Sequence, residues 1–144
     1  MSRAAVSVDG AVVASIGPGL VLLLGVAAGD DGRDVDALVD KVVGLRIFRD
    51  DSGAMNLSVL DVGGSVLVVS QFTLIADVRK GRRPSFVGAA DPEVAKPLID
   101  AALQRFAGHG IDVGSGVFGA TMQVDLVNDG PVTIVLDVEG GSVR

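Results

Sequence analysis

The chain has 144 residues, 49% of them apolar, a formal net charge of −6, no cysteine and one histidine, His109. That length suits one domain, residues 1–144, with a real core; the missing cysteine excludes disulfides, thiol nucleophiles and Cys-ligated metals, and a lone histidine leaves little for a zinc site or a His-dependent triad. The acidic balance argues against broad, non-specific nucleic-acid binding, and no apolar run approaches the roughly 20 residues of a membrane helix.

Ala4 to Val8 alternates and is followed by Asp9-Gly10, a hairpin signal; Val12 to Ile16 is the return strand. Gly17-Pro18-Gly19 breaks it, and Leu20 to Val26 reads as a strand covered on both faces. After Asp30-Asp31-Gly32, Val35, Leu38, Val39 and Val42 mark one apolar face of a helix. One of the two aspartates is expected to cap that helix; the pair could also bind Mg²⁺, the weaker of the two readings. Arg46 to Arg49 reads as a short strand turned by Asp50-Asp51-Ser52-Gly53.

Ser65 to Val69 is a further apolar strand that runs into Ser70-Gln71-Phe72-Thr73-Leu74. Small polar residues at the end of a buried strand are where sites tend to form, although they can equally satisfy neighbouring backbone. Arg79, Lys80, Arg82 and Arg83 then crowd one loop, an anion-binding feature in an acidic protein. With Phe86 close behind, the cluster suits phosphates and a stacked base. Asp91-Pro92 opens a helix whose apolar stripe runs from Ala95 to Phe106, starting late or kinking at Pro97. Gly108-His109-Gly110 ends it, with His109 an exposed terminal residue. Short strands around Ile111–Val113 and Val117 lead to Met122–Val127 and Val132–Val138, which flank Asn128-Asp129-Gly130-Pro131. Locally that Gly-Pro is a turn; a cis bond there would instead give a rigid polar edge. No nucleotide-binding glycine fingerprint occurs.

Three stretches, Ser70-Gln71-Phe72-Thr73-Leu74, Lys80-Gly81-Arg82-Arg83-Pro84-Ser85 and Asn128-Asp129-Gly130-Pro131-Val132-Thr133, together resemble the D-aminoacyl-tRNA deacylases. Gly17-Pro18-Gly19-Leu20, Leu45-Arg46-Ile47-Phe48, Met55-Asn56-Leu57-Ser58, Phe118-Gly119-Ala120 and Met122-Gln123-Val124 extend the likeness over nearly the whole chain. The resemblance implies a three-layer β/β/α fold, mixed sheets in the order two strands, two strand–helix units, three strands, and a cytoplasmic homodimer. It implies hydrolysis of the ester joining a D-amino acid to tRNA, and by extension of glycyl-tRNA mischarged on tRNA-Ala, without metal or other cofactor. Ser70, Gln71, Phe72 and Thr73 would form the catalytic pocket. Gly130 and Pro131, through a cis bond and from the partner subunit, would with Met122 exclude L-residues, and Lys80, Arg82, Arg83 and Phe86 would hold the tRNA.

Two departures accompany the likeness. The family usually opens with another strand ending in Gln-Arg, so a strand of about 5–6 residues and an arginine near the pocket are expected to be missing, through a misassigned start or a real loss. Ile75 stands where the family commonly has Tyr. The rival readings are a non-catalytic dimeric tRNA-end or nucleotide binder of the same fold, and a structural dimer whose motifs are all turns. None of Ser70, Gln71 and Thr73 titrates near neutrality, so the chemistry would fall to backbone dipoles, water and the terminal ribose 2′-OH.

Overall fold

A computed structural model describes residues 1–144. Strands β1 (Arg3–Val8) and β2 (Ala11–Ile16) form the expected hairpin. Its turn places Asp9 at φ 51° and Gly10 at φ 80°, the left-handed pair that lets a two-residue loop follow the strand twist. Strand β3 (Gly19–Leu24) precedes helix α1 (Gly32–Gly44). Asp31 caps α1 with a reciprocal box: its carboxylate accepts from the Arg33 N–H at 3.0 Å, and Asp34 accepts from the Asp31 N–H at 3.0 Å. A small hairpin, β4 (Phe48–Arg49) and β5 (Met55–Leu57), leads to β6 (Ser65–Ser70). A single 3₁₀ turn follows at Phe72–Ile75.

Helix α2 runs from Pro92 to Gly108 without interruption. Pro97 lies inside it, so of the two expectations, a late start or a kink at Pro97, the late start is corrected. Its missing N–H cannot donate to the Glu93 carbonyl, a loss confined to one bond of the helix. Asp91 sits at the cap position but its side chain makes no capping bond. Strands β7 (Val113–Ser115), β8 (Gln123–Val127), β9 (Val138–Glu139) and β10 (Ser142–Val143) complete the chain.

The sheets are not mixed. One is antiparallel, in order β2-β1-β8; the other is parallel, in order β3-β6-β7. The hairpins β4–β5 and β9–β10 stand apart. Ala4, Val6, Leu67 and Val69 close the space between the two main sheets, with Ala14, Ile16 and Met122 around them. On the other face of the parallel sheet, Val66 and Val68 meet Val39, Val42 and Val43 of α1 and Ile99, Ala102 and Phe106 of α2. The alternation of β6 thus supplies two cores, which fixes the layers as sheet, sheet, helices.

Two expected strands differ. Leu20–Leu24 is covered less than a central strand would be, with Leu23 45% exposed, because β3 is an edge of its sheet. Val132–Asp137 is extended in sequence character but forms no strand; Asp137 accepts only from the Arg144 N–H at the end of the last hairpin, and Val138–Glu139 alone enters a ladder. Alternation specifies a face, whereas a strand also needs a neighbouring edge, and residues 132–137 have none.

Candidate functional site

Ser70 is the last residue of β6, the central parallel strand, and Gln71 begins the turn beyond it. The Gln71 N–H donates to the Leu24 carbonyl at 2.8 Å, continuing the β3–β6 ladder one residue past the strand. Gly25 lies directly behind this turn. A Cβ there would sit 2.9 Å from the Gln71 carbonyl oxygen and 3.2 Å from the Leu74 Cβ. The turn is therefore seated on bare backbone. A glycine inside the apolar run Leu20–Val26 was the one signal in the sequence that could have marked this residue.

The 3₁₀ turn closes with the Leu74 N–H donating to the Gln71 carbonyl. The N–H groups of Phe72 and Thr73, at its open end, have no acceptor in the protein, as befits the first donors of a helical turn. The Gln71 side-chain amide donates to the Thr73 hydroxyl. Phe72 and Thr73 are exposed while Ser70 and Gln71 are half-buried. The ring of Phe72 meets Phe86 edge-to-face, centroids 5.0 Å apart, which brings the residue that follows the second motif onto the first.

The basic loop is pinched at its base. Asp77 and Ser85 exchange both backbone hydrogen bonds, at 2.7 and 2.9 Å. Asp77 also accepts from Arg79 at 2.9 and 2.6 Å, and this guanidinium holds the Asp77 carboxyl below the usual carboxylate range. Arg79 is thus internally neutralised. Lys80, Arg82 and Arg83 make no ion pair and stand exposed.

The Gly130–Pro131 bond is cis. Asn128 organises the loop, accepting from the Val132 N–H at 3.3 Å and donating to the Thr133 hydroxyl at 3.2 Å. Gly130 borders a cavity of about 430 Å³ walled by Met1, Leu20, Phe48, Arg49 and Met55, among others, and by none of Ser70, Gln71, Phe72 or Thr73. Leu74 and Ile75 at the end of the turn share a second cavity, of about 530 Å³, with Asn128, Val132 and Thr133, whereas Ser70, Gln71, Phe72 and Thr73 line neither cavity. Met122 is half-buried in the inter-sheet core, its sulfur beside Gly116, whose N–H donates to the Val68 carbonyl two residues before Ser70. His109 caps α2 and meets Asp40 at 3.1 Å, far in sequence and function from the turn. Asp30 and Asp31 accept from the backbone N–H groups of Ala27 and Arg33, and Asp31 takes the capping role expected of one of the pair.

Fold and site together define a class: a small β/β/α protein whose polar turn offers backbone donors and hydroxyls but no titrating nucleophile or base. Residues 1–137 match the family described as D-Tyr-tRNA(Tyr) deacylase. The chain is 58% identical to a D-aminoacyl-tRNA deacylase of Thermomicrobium roseum, covering 99% of this chain and 95% of that protein. It is 59% identical to one of Chloroflexus aurantiacus, covering 94% and 84%. A solved structure titled c-Myc DNA Unwinding Element Binding Protein superposes with a TM-score of 0.86 at 39% identity, covering 92% of this chain and 91% of the other. A probable eukaryotic D-amino acid tRNA deacylase superposes at 0.72 with 18% identity, covering 87% and 88%, which speaks to the fold alone. The chain belongs to the D-aminoacyl-tRNA deacylase family.

Proposed function

We propose that the protein hydrolyses the ester of D-aminoacyl-tRNA to free D-amino acid and tRNA, as a proofreading step in the compartment where translation runs, the cytoplasm. The observation that carries this reading is the pair of unpartnered N–H groups of Phe72 and Thr73 at the mouth of the turn. An aminoacyl ester is already activated, so its hydrolysis needs mainly a place for the developing oxyanion. Two fixed donors supply that, each worth about 3 kcal/mol in such sites. Thr73, held by Gln71, orients the attacking water or the substrate, and the terminal ribose 2′-OH serves as the nearby proton carrier.

Selectivity rests on Gly130–Pro131 acting as a wall of main chain presented to the pocket of a second subunit. The exposed apolar residues Val12 and Val13 of β2 support such a homodimer. Gly130 borders a cavity that Thr73 does not line, which supports a contact in trans. Such a wall rejects a side chain on the wrong side of the α-carbon but cannot reject glycine, the usual limit of steric discrimination. Lys80, Arg82 and Arg83 serve the phosphates, and Phe86 stands where a base could stack.

The test is single-turnover deacylation of matched D-, L- and glycyl-tRNA. Cleavage of the D and glycyl esters with the L ester spared is the expected outcome. Resistance of glycyl-tRNA alone would replace the wall, and resistance of all three would favour the non-catalytic nucleic-acid binder. The name of the 39%-identical structural neighbour, a DNA-binding one, keeps that second reading in view.

A further inference from the structure

The line of β3 does not stop at Leu24. Residues 25–28 continue it, and one edge of this line receives the polar turn and then the segment behind the basic loop. The Leu24 carbonyl accepts from the Gln71 N–H at 2.8 Å. Two residues on, in phase along the strand, the Val26 carbonyl accepts from the Ala90 N–H at 2.9 Å. The Ala28 N–H then donates to the Gly88 carbonyl at 2.8 Å. Ala27 and Ala89 thus face each other in an antiparallel bridge. Both segments are therefore registered on one rail of main chain. Ile75 lies between them, 3.4 Å and 3.5 Å from where a Cβ would stand on Gly25 and Gly88. The Ala89 N–H donates to the Phe86 carbonyl at 3.0 Å and closes the turn that sets the Phe86 ring against Phe72.

On the opposite edge of the rail stands Asp30. Alternation turns the Ala27 N–H and carbonyl away from residues 88–90, and Asp30 takes up both. Its carboxylate accepts from the Ala27 N–H at 2.7 Å, and its own N–H donates to the Ala27 carbonyl at 3.1 Å. Gly29, at φ 93°, supplies the left-handed residue that this tight return requires. Asp30 thus does for Ala27 what a neighbouring strand does elsewhere. The carboxylate is half-buried. Burial, with the negative charges of Asp34, Asp31 and Glu139, pushes it above the usual carboxylate range against the pull of the Ala27 N–H. Keeping a carboxylate there costs free energy, which the fixed Ala27 peptide offsets. On the proposed function, we infer that Asp30 is a positioning residue for deacylation: it fixes the Ala27 peptide, keeps residues 26–28 in register with 88–90, and so holds Phe86 on Phe72 and the Phe72 and Thr73 N–H groups in place. Asp30 makes no hydrogen bond to the turn itself and acts through the bridge.

The experiment compares Asp30→Ala and Asp30→Asn with the unaltered full chain. Asparagine keeps an acceptor for the Ala27 N–H, and alanine keeps none. Steady-state deacylation of D-aminoacyl-tRNA, the NOE between the Phe72 and Phe86 rings, and hydrogen exchange at the Ala28 and Ala90 amides are measured for each. Asp30→Ala should lower kcat by about tenfold or more while KM stays within about twofold. It should also weaken the ring-to-ring NOE and speed exchange at both amides by about tenfold. Asp30→Asn should restore kcat, the NOE and the slow exchange. Asp30→Glu, whose longer arm carries the carboxylate past the Ala27 N–H, should show the same losses as alanine and replaces it if Asp30→Ala does not fold. Parent-like kcat or an intact NOE in the loss variant would overturn the inference. So would equal losses in Asp30→Ala and Asp30→Asn. In a chain that cleaves no D-ester the proposed function falls, while the NOE and exchange, read on the protein alone, still decide the register: both unchanged in the loss variant, they overturn the inference as well.

Discussion

At Gly25 a single hydrogen atom decides where the polar turn sits. The Gln71 carbonyl that a Cβ would strike at 2.9 Å is main chain and cannot swing aside. Gly25→Ala should therefore shift the Phe72 and Thr73 N–H groups without touching the basic loop. We expect deacylation turnover to fall by about 10- to 100-fold, the scale of a misplaced reacting group, while tRNA affinity measured by filter binding stays unchanged. A parallel loss of affinity would mean that the whole face had moved. Thr73 poses a separate question. If it orients water, Thr73→Ala slows single-turnover cleavage by up to about 100-fold and no acyl-enzyme accumulates in the unaltered protein. Complete loss together with a trapped acyl-threonine would make it the nucleophile. The sequence exposed Ser70, Gln71, Phe72 and Thr73 through a strand that ends in polar residues. Gly25 stayed hidden because a close approach from another strand leaves no trace in local pattern.

Among the elements, the loop and the helix pair carry their charges differently. Asp77 ties up Arg79 and leaves Lys80, Arg82 and Arg83 free for phosphate. Neutralising Arg82 and Arg83 together should weaken tRNA binding in all sequence contexts. It should also make the slope of log affinity against log salt shallower by about 1.5, the release of two counterions. An unchanged slope would remove the loop from the interface. On the helical side, Arg105 of α2 meets Asp40 of α1 at 2.7 Å and Asp36 at 3.2 Å, with His109 on Asp40 as well. Arg105 first, then His109, holds the Asp40 carboxyl at about 2. A depressed carboxylate contributes stability that is present above its unfolded value near 3.8 and is lost as pH falls through its folded value. Melting curves should thus show the helix pair loosening between about pH 4 and pH 2, and Asp40→Asn should flatten that part of the profile. The tie is exposed, so its removal at pH 7 should cost no more than about 1 kcal/mol. A profile as steep in the variant as in the parent would place the acid sensitivity elsewhere.

For the molecule as a whole, the legible part of the fold was whatever one element decides alone. The Asp9-Gly10 hairpin, the capped helix α1 and the buried β6 could all be read from pattern. Pairing partners could not. Residues 132–138 alternate as a strand should, yet a ladder requires a second edge that no local pattern specifies. Likewise Asp34, one of many acidic residues in the sequence, proves to be buried and to accept from the Gly141 N–H at 2.7 Å, fastening the C-terminal hairpin to the start of α1. The meeting of Phe72 with Phe86 belongs to the same kind, since an intervening loop of any length could have kept them apart.

Because Asp77 and Ser85 clasp the two stems of the cationic loop, residues 78–84 hang from the domain like a bight on a knotted rope. On the proposed function, lengthening or shortening the bight should alter how far its charges reach along a polynucleotide, while the clasp keeps that change from travelling back to Thr73. If the loop grips nucleic acid and the turn serves the ester, the two can then be varied one without the other.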